Sequence, residues 1–598
     1  MDEPVFFVGN RVKRDRARSL FLARFSELIS PDTPLGRRPR TLVPRAAIAE
    51  TCLLAWSHFK AGGTTNPAAA PATAGHGIKM LPDVAAEAAL VIRCDPILKA
   101  VRSTIPELTR PTLTRWANAT DPKIDPASIT KIEALAAALE RTYLADAFQA
   151  VERFAVMEPQ HLFALEAVCG CLVSELRYRG WSDKALAKRL AELKLANGHA
   201  LREAMERAFP SRQESHKCFV AVTLGSRETE DAFRQHVKQP LIRQLPQALF
   251  DRTIPKRGPF VEIEVYAYDP QAAAEQAYSQ VAGTIGALAI FKPQNVEVRS
   301  KVVGVAAGSQ IVGVDVTPPQ PVETRETTSM EVGRILASSN PEKVFEHDAV
   351  FDAIRHRTRA LETQDPESRF ILLWFALERL VLGAPGYGTA LAAARSLIPK
   401  SIAIGKLRNE VAGLAAATTA LLDYNEWKLI HPLIGWRSLE QRRVDHVKLC
   451  ALLQAPKKES QQFTAVLYDR DVRLVQWYER LRRCLYGSKP KHVAQFFEDS
   501  RQRIEWQVLR LYRARNSVAH AGQGPSWLRD LTTHASYYVT QLIAIVVHYR
   551  HRAPSRSPAE LLASRAGQYD AFLDLVKMGD AAALQPRHLL KPTLLVGQ

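Results

Sequence analysis

The chain has 598 residues, too many for one hydrophobic core, so several domains are expected. Its 46% hydrophobic and 24% charged residues are ordinary for a soluble globular protein, and the longest apolar run, near Leu542–Val547, is far too short to span a membrane. With 80 Lys+Arg against 62 Asp+Glu the net charge is +18; spread along the chain, it suits a polyanionic partner such as RNA or DNA.

The first residues, MDEPVFFVGNRVKRDRAR, contain no apolar signal core, so a cytoplasmic protein is expected. Residues 1–60 read as helical, with basic patches at Arg11–Arg18 and Arg37–Arg45. Residues 61–77 are small and Pro/Gly-rich without periodicity, which predicts a flexible loop. The pattern is helical again from about 80 to 212. Within it, Leu108–Glu140 resembles the later half of a helix-turn-helix module. Thr112, Thr114 and Arg115 would face a groove while Ile132, Leu135 and Leu139 pack. The same stretch also reads as an amphipathic helix capped through Asp125 and Ser128. Residues 160–210 predict two further helices, broken at Gly180-Trp181-Ser182 and at Pro210. The whole of 1–212 is therefore taken as a helical N-terminal region.

The texture then changes. CFVAVTL (218–224) and FVEIEVYAY (260–268) have strand composition and alternation, and a helix follows over 270–291. Runs 296–307 and 310–316 predict a hairpin through Gly308-Ser309. These elements define a small α+β domain with its linker over 213–330. They include no Gly-rich phosphate loop between strand and helix. From about 335 to 598 the chain reads as helical. The helix Glu367–Leu382 is apolar on nearly every face, apart from Glu378 with Arg379 beside it. An Arg- and Trp-rich helical region occupies 390–485, and helices follow at 504–522, 527–552 and 558–579. The fold class expected is mainly α and multidomain.

Seven cysteines, at 52, 94, 169, 171, 218, 450 and 484, have irregular spacing and read as reduced, mostly buried thiols. Cys169-Gly170-Cys171 is too close for a zinc pair and lacks a second half. His534, His548 and His551 have no partners at ligand spacing and read as surface or capping residues. No metal and no cofactor are expected.

Leu511–Gly524, LYRARNSVAHAGQG, holds the densest chemistry. On a helix Asn516 and His520 share a face, and the long side chain of Arg515 reaches the same point. A guanidinium, an amide and an imidazole there can bind a phosphate and move a proton. The same three residues near a helix C-terminus also satisfy the dipole and the free carbonyls. The residues alone leave both readings open.

Together with the earlier helix carrying Phe370, Trp374, Phe375, Ala376, Leu377, Glu378 and Leu380, the late segment carrying Leu511, Tyr512, Arg515, Asn516, His520 and Gly522 resembles a HEPN domain of the Apea-like kind. The RN-x-x-x-H core matches that family's Arg-to-His signature. The resemblance covers roughly 340–555, interrupted by an insertion over about 390–495. The preceding α+β piece is similar, as an arrangement, to domains before such regions in bacterial phage-defence proteins. The resemblance implies a metal-independent endoribonuclease acting as a homodimer with a composite site. His520 would be the general acid or base for attack by the ribose 2′-OH. Arg515 would stabilise the phosphate and Asn516 would orient it or the imidazole. Glu378 is expected to buttress Arg515, with Tyr512, Arg513 and Arg510 extending the RNA contact. The partners implied are an RNA substrate, a second copy and a phage-derived trigger, with the first 330 residues sensing or restraining. The alternative is a non-catalytic scaffold that binds nucleic acid or dimerises through a HEPN-like bundle.

Overall fold

The computed structural model describes residues 10–30, 42–62, 80–119, 124–158, 160–194, 201–225, 258–291, 296–307, 310–316, 348–363, 365–521, 528–550 and 555–596, with short pieces between 230 and 245 and residue 553. The expected loop at 61–77 lies, from residue 63, outside the described residues, as do the interdomain segment from 317, Gly308-Ser309 and His551.

The architecture is mainly α, with one small antiparallel sheet in the middle of the chain. The N-terminal region contains α1 (Asn10–Ile29), α2 (Pro44–Gly62), α3 (Leu81–Cys94), α4 (Pro96–Ala100), α5 (Ile105–Asn118), α6 (Pro126–Glu152), α7 (Leu162–Arg179), α8 (Asp183–Lys194) and α9 (Leu201–Ala208). They enclose one core built around Phe21, Phe25, Trp116, Tyr143 and Phe209. Asp95 starts α4 by accepting from the amides of Ile97 and Leu98, both at 2.9 Å, and the buried Tyr143 hydroxyl donates to its other oxygen at 2.8 Å. Residues 160–210 give three helices rather than two. Gly180 ends α7 at φ 100°, where a Cβ would strain the backbone, and α8 and α9 follow.

The helix-turn-helix comparison meets a packed helix pair. Thr112 is buried, while Thr114 and Arg115 are exposed. α6 starts as the capping reading expects: Asp125 accepts from the Ser128 amide at 2.7 Å. Arg115 is held by the Ser128 hydroxyl at 2.7 Å and Asp125 at 3.3 Å.

The sheet is formed by β1 (Glu214–Leu224), β2 (Leu241–Ile242), β3 (Phe260–Ala267), β4 (Val296–Val298), β5 (Val302–Ala307) and β6 (Gln310–Asp315), with α10 (Pro270–Phe291) between β3 and β4. Its order is β2-β3-β1-β5-β6, and β4 pairs with the end of β1. The run 296–307 is thus two strands, which meet β1 in different registers: β4 pairs Val298 with Val222, β5 pairs Val305 with Cys218, and between them the Arg299 amide donates to the Ala221 carbonyl at 2.8 Å. β1 is central and buried on both faces. Val220 and Val222 meet α10 through Ala273, Ala277 and Val281, and Phe219 and Ala221 form a second small core with Phe260. Asp269 anchors this domain to the N-terminal helices: Ser182 donates to it from its amide at 2.9 Å and its hydroxyl at 2.8 Å, and Trp181 stacks on Tyr268.

The C-terminal region comprises α11 (Asp348–Glu362), α12 (Pro366–Val381), α13 (Ala390–Ala403), α14 (Lys406–Leu421), α15 (Tyr424–Ile434), α16 (His446–Gln454), α17 (Lys457–Arg470), α18 (Val472–Leu485), α19 (Pro490–Ala521), α20 (Leu528–Arg550), α21 (Pro558–Met578) and α22 (Pro586–Leu590). α12 leaves Phe375 exposed, and Leu382 just past its end is exposed too, so it is less enclosed than its composition suggests. Residues 390–495 are integral to the bundle: Leu397, Val411, Trp427 and Tyr478 share one core with Trp374 and Leu511. α19 starts at Pro490 instead of about 504. Proline suits the first helical turn, and Val493, Ala494 and Phe497 bury an apolar stripe ahead of the motif.

Glu410 is buried in this core. Burial alone would raise its pKa, but Lys406 at 2.6 Å, Arg480 at 3.5 Å and the Trp477 indole N–H at 2.7 Å outweigh that and hold it at about 2. A carboxylate depressed in the folded state stabilises the fold above its unfolded pKa near 4.5, and that contribution is lost as pH falls toward 2. We predict that Glu410→Gln flattens the decline of urea midpoint between pH 5 and pH 3 relative to the parent chain; parallel declines would refute the assignment.

Candidate functional site

The site rests on α19, 32 residues long and therefore about 48 Å from end to end. Its last turns carry Leu511, Ala514 and Val518 on the side packed against the core, while Ser517 and Ala519 face outward. Arg515 and Asn516 lie between these two faces, both half-buried. The Arg515 Nη1 donates to the side-chain Oδ1 of Asn516 at 3.1 Å. Its Nε is buried without a hydrogen-bond partner among the described residues. His520 follows Asn516 by four residues on the same helix, and Ala521 is its last residue. The side chain of His520 and residues 522–527, including Gly522 and Gly524, lie outside the described residues.

The two motif helices are neighbours. Tyr512 of α19 packs its ring on Trp374 of α12, with centroids 5.7 Å apart and planes inclined at 56°. Glu378, one turn along α12 from Trp374, is half-buried, and no hydrogen bond or ion pair joins it to Arg515 among the described residues. Its neighbour Arg379 turns to Asp352 of α11, at 3.0 Å from Nε.

Arg510 and Arg513 are engaged elsewhere than the RNA contact expected of them. Arg510 is 2% exposed and donates to Glu87 of α3, with Glu50 of α2 3.7 Å from its Nε. Arg513 forks onto Glu50, at 2.8 Å from Nε and 2.6 Å from Nη2. Burial would lower the Arg510 pKa, but the charges of Glu87 and Glu50 and the Glu87 hydrogen bond raise it. The acids had a legible signal in sequence: each is a lone carboxylate in a helical apolar run, AAIAETC and VAAEAAL, which demands a buried cation. The partner, more than four hundred residues away, did not.

His534, expected as a surface or capping residue, is instead buried inside the bundle and stacks on Tyr538 with centroids 6.2 Å apart. All seven cysteines are free thiols, and burial pushes those of Cys52, Cys218 and Cys450 up to about 12. Among the described residues no group of three His, Cys, Asp or Glu side chains is placed to hold a metal ion, and no helix is long and apolar enough to cross a membrane.

Compared with protein-family models, curated proteins and solved structures, the chain matches none.

Removing one acid of the buried set strands a guanidinium. We predict that Glu87→Ala lowers unfolding stability by about 3–5 kcal/mol, measured by urea titration, while Arg515→Ala changes it by no more than about 1 kcal/mol. Equal effects would show that Arg510 is not a structural anchor.

Proposed function

We propose that the chain is a metal-independent endoribonuclease of a bacterial antiviral system, cutting RNA at Arg515, Asn516 and His520. The observation that supports this most is the Arg515 guanidinium. It is oriented by Asn516 at 3.1 Å, has a donor nitrogen without a partner among the described residues, and sits just over one helical turn before His520. Such a group suits a scissile phosphate. It cannot lose its proton near neutral pH and stabilises the charge that develops as the bond breaks. An imidazole that titrates near neutrality takes the proton from the ribose 2′-OH, whose oxygen attacks the adjacent phosphorus. The bond to the 5′ oxygen breaks, leaving a 2′,3′-cyclic phosphate and a 5′-OH. The oxygen that leaves needs a proton in return. A second copy supplies it through its own histidine when the two motif helices meet, so the active form is a homodimer. Packing of Tyr512 on Trp374 fixes the motif helix against α12 and keeps this geometry rigid.

The ion pairs of Arg510 and Arg513 favour a second reading, in which α19 is a structural spine and the bundle a non-catalytic scaffold. One experiment separates the two. RNA is incubated in EDTA with the parent chain, His520→Ala and Arg515→Ala. The nuclease reading expects cleavage by the parent with cyclic phosphate ends, and a loss of at least ~100-fold in both variants. Equal rates in all three proteins, or a loss of parental activity in EDTA, would remove it. Phage plating on cells carrying the parent or the His520→Ala protein tests the defence role. Equal protection would place the effector elsewhere.

A further inference from the structure

The loop between α15 and α16 is built as a rigid display. Trp436 donates its amide to the Arg443 carbonyl and Asp445 donates to Ile434, both at 2.7 Å, with Gly435 and Val444 bridged antiparallel. The hairpin is pinned from below: the Trp427 indole donates to the Leu439 carbonyl at 3.0 Å, Lys448 to Gly435 at 2.9 Å, and Arg442 to the Leu422 carbonyl. The His431 imidazole lies so close over Gly435 that a Cβ there would clash with it. Two loop residues, Arg437 at φ 28° and Arg442 at φ 41°, occupy backbone space that non-glycine residues rarely adopt. Such strain persists where the surroundings impose it, and it concentrates at functional sites.

This scaffold carries a half-buried indole flanked by two exposed guanidiniums. Arg437 and Arg443 lie 5.6 and 5.3 Å from the Trp436 ring centroid. Neither has an ion pair among the described residues, in contrast to Arg395, Arg480, Arg510 and Arg513, which are all matched to carboxylates. The loop's acids are occupied locally: Glu440 takes the Ser438 hydroxyl, and Asp445 caps α16 at the amides of Val447 and Lys448. The surroundings are cationic. His446 is pulled below its ordinary pKa by burial and then by Arg408, Arg443 and Lys591, against the single opposing charge of Asp445.

We infer that loop 435–445 is a binding site for single-stranded nucleic acid, with Trp436 stacking on a base and Arg437 and Arg443 holding phosphates. A flat indole between two guanidiniums that lack carboxylate partners among the described residues matches a ligand in which a base lies between phosphates, whereas an acidic peptide offers only the charge. The inference stands on the loop alone and does not depend on cleavage at α19.

The test is fluorescence anisotropy of the full-length chain with labelled single-stranded RNA and DNA 12-mers of one sequence. Trp436→Ala is expected to weaken both by roughly 5- to 100-fold, and Trp436→Phe to retain most of the affinity. The double variant Arg437→Ala/Arg443→Ala is expected to flatten the dependence of log affinity on log salt by about 1.4, about 0.7 for each phosphate no longer neutralised. Unchanged affinity and slope would overturn the assignment. So would equal loss with phenylalanine and alanine, or displacement by poly-aspartate as effective as by an oligonucleotide of the same charge. A chain that binds through this loop yet cuts no RNA would remove the nuclease reading and leave this one intact.

Discussion

A guanidinium taken out of water is tolerable only when carboxylates come with it, and Arg510 sets that constraint on this molecule. Its charge sits at the junction of the two helical regions and is met by Glu87 and Glu50, with Arg513 sharing Glu50. The polarity of the junction is consistent. Arg395 of the bundle bridges Asp83 and Glu505, Arg480 reaches Glu166 as well as Glu410, and Arg473 donates to the Ala23 carbonyl. Arg483 lies over the Phe163 ring, while Arg16 over Tyr468 runs in the opposite sense. Cations come mainly from the C-terminal side and acids from the N-terminal side. Each such pair uses one cation and one acid, so the net charge of +18 is unchanged by the junction and is carried by basic residues outside it.

That pairing separates two sets of arginines that look alike in the sequence. Those on α19 ahead of the motif are structural, whereas Arg437 and Arg443 have no carboxylate among the described residues. Spacing alone offered no way to sort them, because pairing across more than four hundred residues is decided by tertiary packing. What local chemistry decided was legible: α10 over 270–291, the strands at 260 and 310, the caps at Asp125 and the Gly180 break all depend on neighbours in sequence. Structure and local pattern part where long-range contacts win. Pro490 opens α19 earlier than its amphipathic pattern near 504 suggests, since the extra turns are buried by the insertion helices. His534 looked like a polar surface residue and is enclosed, stacked on Tyr538. At the candidate site, the adjacency of Tyr512 and Trp374 supports the pairing of the two motif segments, while no hydrogen bond or ion pair joins Glu378 to Arg515 among the described residues.

The insertion also changes meaning once its packing is known. Residues 390–495 looked like an interruption between two motif helices, yet they contribute Leu397, Val411, Trp427 and Tyr478 to the same core as Trp374 and Leu511. Loosened packing in this segment would free α12 and α19 together. The loop it carries at 435–445 is consequently fixed in position relative to the motif helix rather than tethered to it.

The unbroken helix α19 has a mechanical consequence. Arg510 is pinned to the N-terminal helices, and residue 520 lies ten positions further, about 15 Å along the axis. A tilt of roughly 5° about the pin, carried by α19 together with the α12 face on which Tyr512 packs, moves residue 520 by a little over 1 Å, about the misplacement at which reacting groups lose alignment. Any ligand that shifts α2 or α3 by a small angle thus has leverage over the helix tip without touching it, and the stiffness of one helix sets the gain of that coupling.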